Sequence, residues 1–537
     1  MIEAALAMVE CLKKEGITTV FGYPGAAICP FYDHLYQSSI KHILVRQEQN
    51  GGHAANGYAR ITGKPAVCIA TSGPGSTNLI TAIATAYADS IPLIAITGQV
   101  STDQIGKDVF QEVDMTGSVE PFVKHSYLVK DASQIPKIFK EAFYIAGSGR
   151  KGPVLIDVPF DIQKVNIDFN YPDSVDIRAY KPSSKGNSMQ IKRIVQAIKE
   201  ATKPLICAGG GVVASNSSKD IVELAYKIHA PIVTTMMGLD IIDGNDPLNL
   251  GMIGMHGNKI SNTAMHNCDV LLLMGARVGD RAVTAPNLVS KSTKIIHIDI
   301  DPAEIGKNIH VDIPLVGDIG IIAQQMLDAL PELKHEEWVN SILETKKPII
   351  YKEPKLGFVN PKQVLSLLSQ KAKDDTILVA DVGQNQIWCA NHFKVKKGRL
   401  LVNGGMGTMG YSVPAAIGAK FASPNVDVIA VCGDGSFQMN FMELATIMQH
   451  DVNLKIIVMR NTYLGMVREL QEKNYNTHEV AVSLKGSPDF VKLAEAYNIK
   501  AIRINSMENI DSVLNEFIAY PEPIILECIV SSDESTM

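Results

Sequence analysis

The stretch Val426-Asp427-Val428-Ile429-Ala430-Val431-Cys432-Gly433-Asp434-Gly435-Ser436 decides how the rest of the chain is read. A β-branched apolar run ends in Gly-Asp-Gly, a helical pattern follows over Met439–Met448, and a second apolar run, Leu454–Met459, ends in Arg460-Asn461. That order predicts one βαβ unit with parallel strands. It places Asp434 and Asn461 at the carboxyl ends of those strands, the edge at which parallel sheets bind ligands. A carboxylate, an amide oxygen and a loop carbonyl are hard oxygen donors of the kind magnesium takes. The glycines allow close backbone approach to phosphate groups, and the start of the next helix favours negative charge. Gly-Asp-Gly alone is also an ordinary strand-to-helix turn; the Asn ending the next strand tips the reading toward a metal–diphosphate site.

The same alternation of short apolar runs and longer helical patterns recurs along the chain. Ala66–Ala70, Leu93–Thr97 and Val154–Val158 read as buried strands, with helices at Gly51–Ala59 and Ser76–Tyr87. Pro204–Ala208, Val270–Met274 and Lys294–Ile300 follow as strands, with a helix at Ile221–Ile228; then come strands at Thr376–Ala380, Val426–Val431, Leu454–Met459 and Pro523–Glu527. Polar stretches near Tyr171–Asn187 and Lys346–Phe358 read as linkers. The expected fold class is therefore α/β, with three doubly wound parallel-sheet domains at 1–170, 186–345 and 358–532. The first and third parts could be two copies of one fold.

A chain of 537 residues is too long for one ordinary core. Its apolar content of 46% and charged content of 20% fit a globular chain. A net charge of -6 with both signs interspersed disfavours a nucleic-acid-binding surface. The eight cysteines are scattered with no CxxC pair, which favours reduced thiols over a disulfide framework or zinc site. No basic signal-peptide start and no long apolar run appear, so the expected location is cytoplasmic, away from membranes.

Gly-Asp-Gly followed by Asn on the next strand resembles the signature of thiamine-diphosphate enzymes. Arg460 replaces the first Asn of the usual Asn-Asn pair; aligned on Leu464-Gly465-Met466-Val467, the metal ligand is the second, Asn461. The resemblance implies thiamine diphosphate held by Gly383, Gln384, Gly433, Gly435 and Ser436, with magnesium on Asp434, Asn461 and the Tyr463 carbonyl. It also implies that Glu48, in Arg46-Gln47-Glu48-Gln49-Asn50, bonds N1′ of the aminopyrimidine and promotes the imino form that deprotonates thiazolium C2; a buried carboxylate suits that shared proton. By spacing alone Glu48 is an ordinary helix-start charge. Met409, under the bend of the cofactor, and the carbonyl of Gly407 would fold its two rings together. The family's cofactor bridges two subunits, so a homodimer or homotetramer is implied.

Over nearly the whole chain the sequence resembles acetolactate synthase large catalytic subunits. The resemblance is carried by Tyr23-Pro24-Gly25, Gly57-Tyr58-Ala59-Arg60, Thr71-Ser72-Gly73-Pro74-Gly75, Thr97-Gly98-Gln99-Val100, Phe110-Gln111-Glu112, Gly254-Met255-His256-Gly257, Gly275-Ala276-Arg277 and Leu464-Gly465-Met466-Val467-Arg468. It implies decarboxylation of pyruvate and ligation of the two-carbon unit to a second pyruvate or 2-oxobutyrate, in branched-chain amino acid biosynthesis. Gln111 would line the reaction space, with Gly25 and Phe110 beside it and Arg281 binding the second carboxylate; by residue type alone Arg281 could simply pair with Asp280. Arg150, His256, Gly275, Arg277, Arg281, Asp299 and Asp318 match flavin-side positions. Gly209-Gly210-Gly211 after a strand would admit a pyrophosphate, although the spacing is not GxGxxG; FAD is the implied third cofactor. A separate regulatory small subunit is also implied.

Three departures stand out. Leu470 replaces a usual Trp and should widen the second-substrate pocket, weakening 2-oxobutyrate preference and conferring sulfonylurea resistance. Phe160 replaces a usual Lys at the channel mouth, and Ser101 a usual Pro. The alternatives are a catabolic acetolactate synthase, another 2-oxo acid decarboxylase, or a non-catalytic assembly subunit.

Overall fold

The computed structural model describes residues 1–282 and 288–537. Three six-stranded sheets organise them, and every strand pairing within each is parallel. The first runs Lys41–Leu44, Thr19–Gly22, Ala66–Ala70, Leu93–Gln99, Pro153–Pro159, His125–Leu128 across its width. The third runs Arg399–Val402, Ile377–Ala380, Val428–Gly433, Lys455–Arg460, Ile524–Ile529, Lys500–Ile504. Counted in chain order within each domain, both have the order 2-1-3-4-6-5, so they share one topology. The middle sheet runs Asn249–Met252, Ile232–Thr234, Pro204–Ala208, Val270–Met274, Lys294–Asp299, Ile313–Val316, which is order 3-2-1-4-5-6, that of dinucleotide-binding folds.

Helices cover both faces, which is why the central strands are apolar throughout rather than alternating. Val67, Ile69, Ile94 and Ile96 pack on one face of the first sheet, while Cys68, Ala70, Leu93 and Ala95 pack on the other. The expected strands are present within a residue or two at their ends. The edge strands, and the interior strands Thr19–Gly22 and Ile232–Thr234, escaped the reading because they are short or mixed in polarity, as in Lys41–Leu44 and Ile313–Val316.

Two helices depart from expectation. Met439–Met448 is not one helix: a turn of helix at Asp434–Phe437 is followed by a 3₁₀ turn at Phe441–Glu443 and a helix at Leu444–Gln449. Ser76–Tyr87 breaks into Pro74–Thr77 and Ile80–Ala88. The two linkers, by contrast, contain no regular element.

The first and third domains dock through an antiparallel helix pair, Glu48–Thr62 against Ser412–Ala422. A Cβ added to Gly418 would lie 1.8 Å from the Ala54 carbonyl oxygen, and one on Gly57 2.0 Å from that of Ala415. Only glycine permits backbones this close. Tyr411 donates its hydroxyl to Asn56 at 2.9 Å, at one end of the pair. At the other, buried Glu443 accepts from Asn50 Nδ2 at 2.9 Å and from the Arg46 amide at 2.8 Å. Among the described residues no helix is long and apolar enough to cross a membrane. All eight cysteines are free, with only Cys29 exposed.

Candidate active site

In the third sheet the strand order reverses between Ile377–Ala380 and Val428–Gly433, which opens a crevice at their carboxyl ends. Gly383 and Gln384 leave the first strand there, and Gly433–Ser436 leaves the second. Asp434 is 1% exposed. Burial raises its carboxyl to about pKa 6, opposed by bonds from the Thr462 and Gly435 amides and by the charge of Arg460. Asp434 Oδ2 accepts from Thr462 N at 2.7 Å and Oδ1 from Gly435 N at 3.1 Å. Asn461, ending the neighbouring strand, accepts from Tyr463 N at 2.9 Å and donates Nδ2 to Gln384 Oε1 at 2.9 Å.

Thr462 holds φ 60°, an uncommon conformation for a β-branched residue, and that turn aims two successive amides back at Asp434 and Asn461. Arg460 points away: Nη1 bonds buried Glu527 at 2.7 Å, and Arg503 Nε reaches the other oxygen at 2.5 Å. The substituted Asn position thus leaves Asp434 and Asn461 their geometry. Ser436 is buried and returns its hydroxyl to Gly433 O at 3.1 Å.

The loop Gly404–Gly410 borders the same crevice. Met409 Cε lies 3.5 Å from where a Gly435 Cβ would sit, and Gly407 and Gly410 hold φ 66° and 84°. Asp381, fully buried at the end of the first strand, accepts from Gly410 N at 3.0 Å and Ser412 N at 2.8 Å. Sequence reading missed Asp381, although its signal is that of Asp434: an acid closing an apolar strand. It also missed Glu469, whose Oε1 accepts from Gln384 Nε2 at 2.6 Å and from Thr536 N at 2.6 Å. That pairing joins residues far apart in sequence and leaves no local pattern.

In the first domain the carboxyl edge gathers Glu48, Gly25, Gln111 and the Thr71–Gly75 turn. Glu48 opens its helix and is half-buried rather than buried, because its carboxylate stands at the open sheet edge. Its Oε2 accepts from Asn78 Nδ2 at 2.9 Å, and Oε1 lies 3.5 Å from a Cβ placed on Gly75. Gly25 packs on the Thr71 side chain, where a Cβ would come within 2.5 Å. Gln111, at φ 61°, lies over Gly73, while Phe110 is 86% exposed. Phe160 carries the Lys164 ammonium 3.8 Å above its ring.

The middle sheet reverses order between Pro204–Ala208 and Val270–Met274. The turns after these strands meet: a Cβ on Gly209 would lie 2.4 Å from Gly275 O, and one on Gly211 2.6 Å from Gly275 Cα. Gly210 faces Met237. Close packing of two turns at the switch point explains these glycines. Arg150 bonds Asp301 at 2.9 Å and Glu304 at 2.8 Å, and Asp299, nearly buried, is raised to about pKa 6 by burial. Asp318 caps the Ile319–Ala329 helix. Arg277 is exposed. Arg281 is exposed too, with a surface pairing to Asp280 at 3.8 Å. Burial, then the charge of Arg281, lowers the His256 pKa, with Glu469 opposing the shift and Lys473 adding to it; Leu470 is half-exposed.

Three family models match along the chain: the thiamine pyrophosphate enzyme N-terminal TPP binding domain over 2–118, the central domain over 191–330, and the C-terminal TPP binding domain over 381–528. The chain is 46% identical to the probable acetolactate synthase large subunit of Methanocaldococcus jannaschii, over 99% of this chain and 93% of that protein. It is 43% identical to the acetolactate synthase large subunit of Cyanidium caldarium, over 99% and 94%, and 40% identical to the acetolactate synthase of Mycobacterium bovis, over 99% and 88%. With the Asp434–Asn461 pair and the shared topology of the outer domains, these similarities place the chain in the thiamine pyrophosphate enzyme family, among the acetolactate synthase large subunits.

Proposed function

We propose that the chain is the catalytic subunit of an acetolactate synthase, joining the two-carbon unit of pyruvate to a second 2-oxo acid. The observation that carries this reading is the buried Asp434 beside Asn461 at the sheet's switch point, tied to Gln384. A buried carboxylate, an amide oxygen and the Tyr463 carbonyl fit magnesium and a diphosphate: they are all oxygen donors and each carboxylate oxygen keeps a free lone pair. When bound, thiamine diphosphate supplies an electron sink for decarboxylation. Glu48 would hold a proton beside the cofactor's pyrimidine nitrogen, Met409 and the Gly407 carbonyl would hold the cofactor in place, and Gln111 with Gly25 would line the reacting edge. Arg281 binds the second substrate's carboxylate as a monovalent clamp, and Leu470 sets how much space its side chain has.

The antiparallel helix pair supports a shared site. About 18 Å of helix separates Glu48 from Arg60, whose guanidinium lies 5.8 Å from the Tyr411 ring at the far end of the pair. On this reading a second copy of the chain brings Glu48 to the crevice. A homodimer is the smallest complete enzyme, with a regulatory small subunit as its further partner. The middle domain's strand order and its exposed Arg277 and Arg281 support FAD. We assign 1–170, 186–345 and 358–532 as the three folding units and a cytoplasmic location.

Product analysis tests the reading: pyruvate alone yields acetolactate, added 2-oxobutyrate yields the mixed product, and both require magnesium and thiamine diphosphate. Release of acetaldehyde without ligation would overturn it. Omitting and restoring FAD tests the flavin assignment separately.

A further inference from the structure

The Gly404–Gly410 loop is hydrogen-bonded from two domains, while Met237 of the middle domain packs on Gly404, its Sδ 2.9 Å from where a Cβ would sit. From its own domain, Asn403 exchanges two bonds with Thr408, Nδ2 to the carbonyl at 2.6 Å and Oδ1 from the amide at 2.9 Å, and Asn440 donates to the Gly410 carbonyl. From the first domain, the end of the Ile80–Ala88 helix presses on it. Thr85 Oγ1 meets Thr408 Oγ1 at 2.8 Å, and Asp89 Oδ1 accepts from the Gly405 amide at 2.7 Å. A Cβ on Gly405 would come within 2.8 Å of Ala88.

The Asp89 carboxylate has no exposed surface, and Arg60, 7% exposed, reaches its second oxygen at 2.6 Å. Arg60 Nε also bonds Asn56 Oδ1 at 2.9 Å, the atom that accepts the Tyr411 hydroxyl. A buried ion pair is a poor stabiliser against an apolar replacement. A carboxylate aimed at one amide, however, makes a strong and directional bond. Gly404–Gly407 are exposed, and a glycine-rich exposed segment left to itself samples many conformations.

We infer that Asp89 and Thr85 are positioning residues, which lock the Gly404–Gly410 loop from the neighbouring domain so that Met409 and the Gly407 carbonyl stand ready before the cofactor arrives. Arg60 neutralises Asp89 and orients it. The inference rests on the assignment of this loop under the proposed function and extends it to residues of the other domain. A reacting geometry displaced by about 1 Å loses about 100-fold in rate, so a loop fixed in advance has direct catalytic value.

Two neutral double variants isolate the Gly405 bond. Both R60Q/D89N and R60Q/D89A remove the ion pair, but only the first keeps an acceptor for the amide. In the cofactor-free protein, amide hydrogen exchange at Gly405 and Thr408 is expected to be about 10-fold faster in R60Q/D89A than in R60Q/D89N, with the sheet strands unaffected. With cofactor and magnesium, R60Q/D89A is expected to lose about 10- to 100-fold in kcat at unchanged KM for pyruvate, with exchange of the thiazolium C2 hydrogen falling in step. R60Q/D89N should recover most of that loss. Thr85→Val leaves the ion pair intact, and its kcat should fall about 3- to 10-fold without a shift in the unfolding midpoint; it carries the test should the double variants fail to fold. Equal exchange at Gly405 in the two double variants, or unchanged kcat in Thr85→Val, would overturn the inference. Failure of the wild type to make acetolactate would overturn the functional reading instead, and the cofactor-free exchange distinguishes the two.

Discussion

Asn78 donates its side-chain amide to Glu48 Oε2 at 2.9 Å, and Oε1 lies 3.5 Å from a Cβ placed on Gly75. The carboxylate is thus oriented by one neighbour, which suits the proton-sharing role proposed for it. Glu48→Gln keeps an acceptor for Asn78 and the half-buried volume. We expect kcat to fall about 10²- to 10⁴-fold with little change in unfolding midpoint. A variant that melts earlier and retains its specific rate would show a structural role only.

The helix contact at Ala54 and Gly418 makes a sharper prediction about stability. An added methyl at 418 meets backbone atoms 1.8 and 2.6 Å away, and backbone cannot rotate aside. Gly418→Ala should cost about 1–3 kcal/mol or more, read as a lower urea midpoint. Gly486→Ala, where no atom lies within 4 Å, serves as the control and should be close to neutral.

Asp157 gives the stability a pH slope. Burial raises its carboxyl from 3.8 to about 7, against bonds from Thr97 Oγ1 at 2.6 Å and Gln99 Nε2 at 3.0 Å. With the folded pKa above the unfolded one, the folded chain binds the extra proton. The contribution is therefore full below about pH 4, declines as pH rises, and is lost above about pH 7. Its size is on the order of a few kcal/mol. Asp157→Asn cannot titrate; the free-energy difference between wild type and variant should shrink as pH rises from about 5 to 8, measured by urea unfolding. A constant difference would refute the assignment.

Product choice should respond at two exposed positions without affecting folding. Arg281, 71% exposed, has a long surface pairing to Asp280 and a weak bond from Nη1 to Met255 Sδ at 3.6 Å, so Arg281→Gln should change stability by less than about 0.5 kcal/mol. It should nevertheless raise KM for the second 2-oxo acid at least about 10-fold. Leu470→Trp adds bulk at an exposed position of the Gly465–Asn474 helix and should shift the acetolactate to mixed-product ratio toward 2-oxobutyrate by about 10-fold. Competition between the two substrates in one tube measures both effects.

Much of this architecture was legible in the chain, for identifiable reasons. Strands buried on both faces, such as Val270–Met274, declare themselves as continuous apolar runs, and Gly-Asp-Gly declares a strand end. Ile313–Val316 hid behind its Pro314, and the Met439–Met448 pattern hid a chain that changes direction at Asn440. At the site, Asp434 and Asn461 stood out because residue type and strand position agree, whereas Glu48 was singled out by the resemblance alone. Asn78, Asp89 and Glu469 were not readable, since each acts through a partner distant in sequence, and only the packing of the domains reveals the pairing. Glu48 is also only half-buried where a buried carboxylate was expected, because it stands at the open edge of the first sheet.

The antiparallel docking of Glu48–Thr62 on Ser412–Ala422 has a genetic consequence. If each crevice takes its carboxylate from the other copy, two inactive variants can restore one another. A Glu48→Gln chain still brings a sound Asp434, and an Asp434→Ala chain a sound Glu48. Refolded together in equal amounts, they should form mixed dimers in which one crevice is wholly intact and the other doubly defective. Random pairing then returns about a quarter of the wild-type rate, from two polypeptides that are each inert alone.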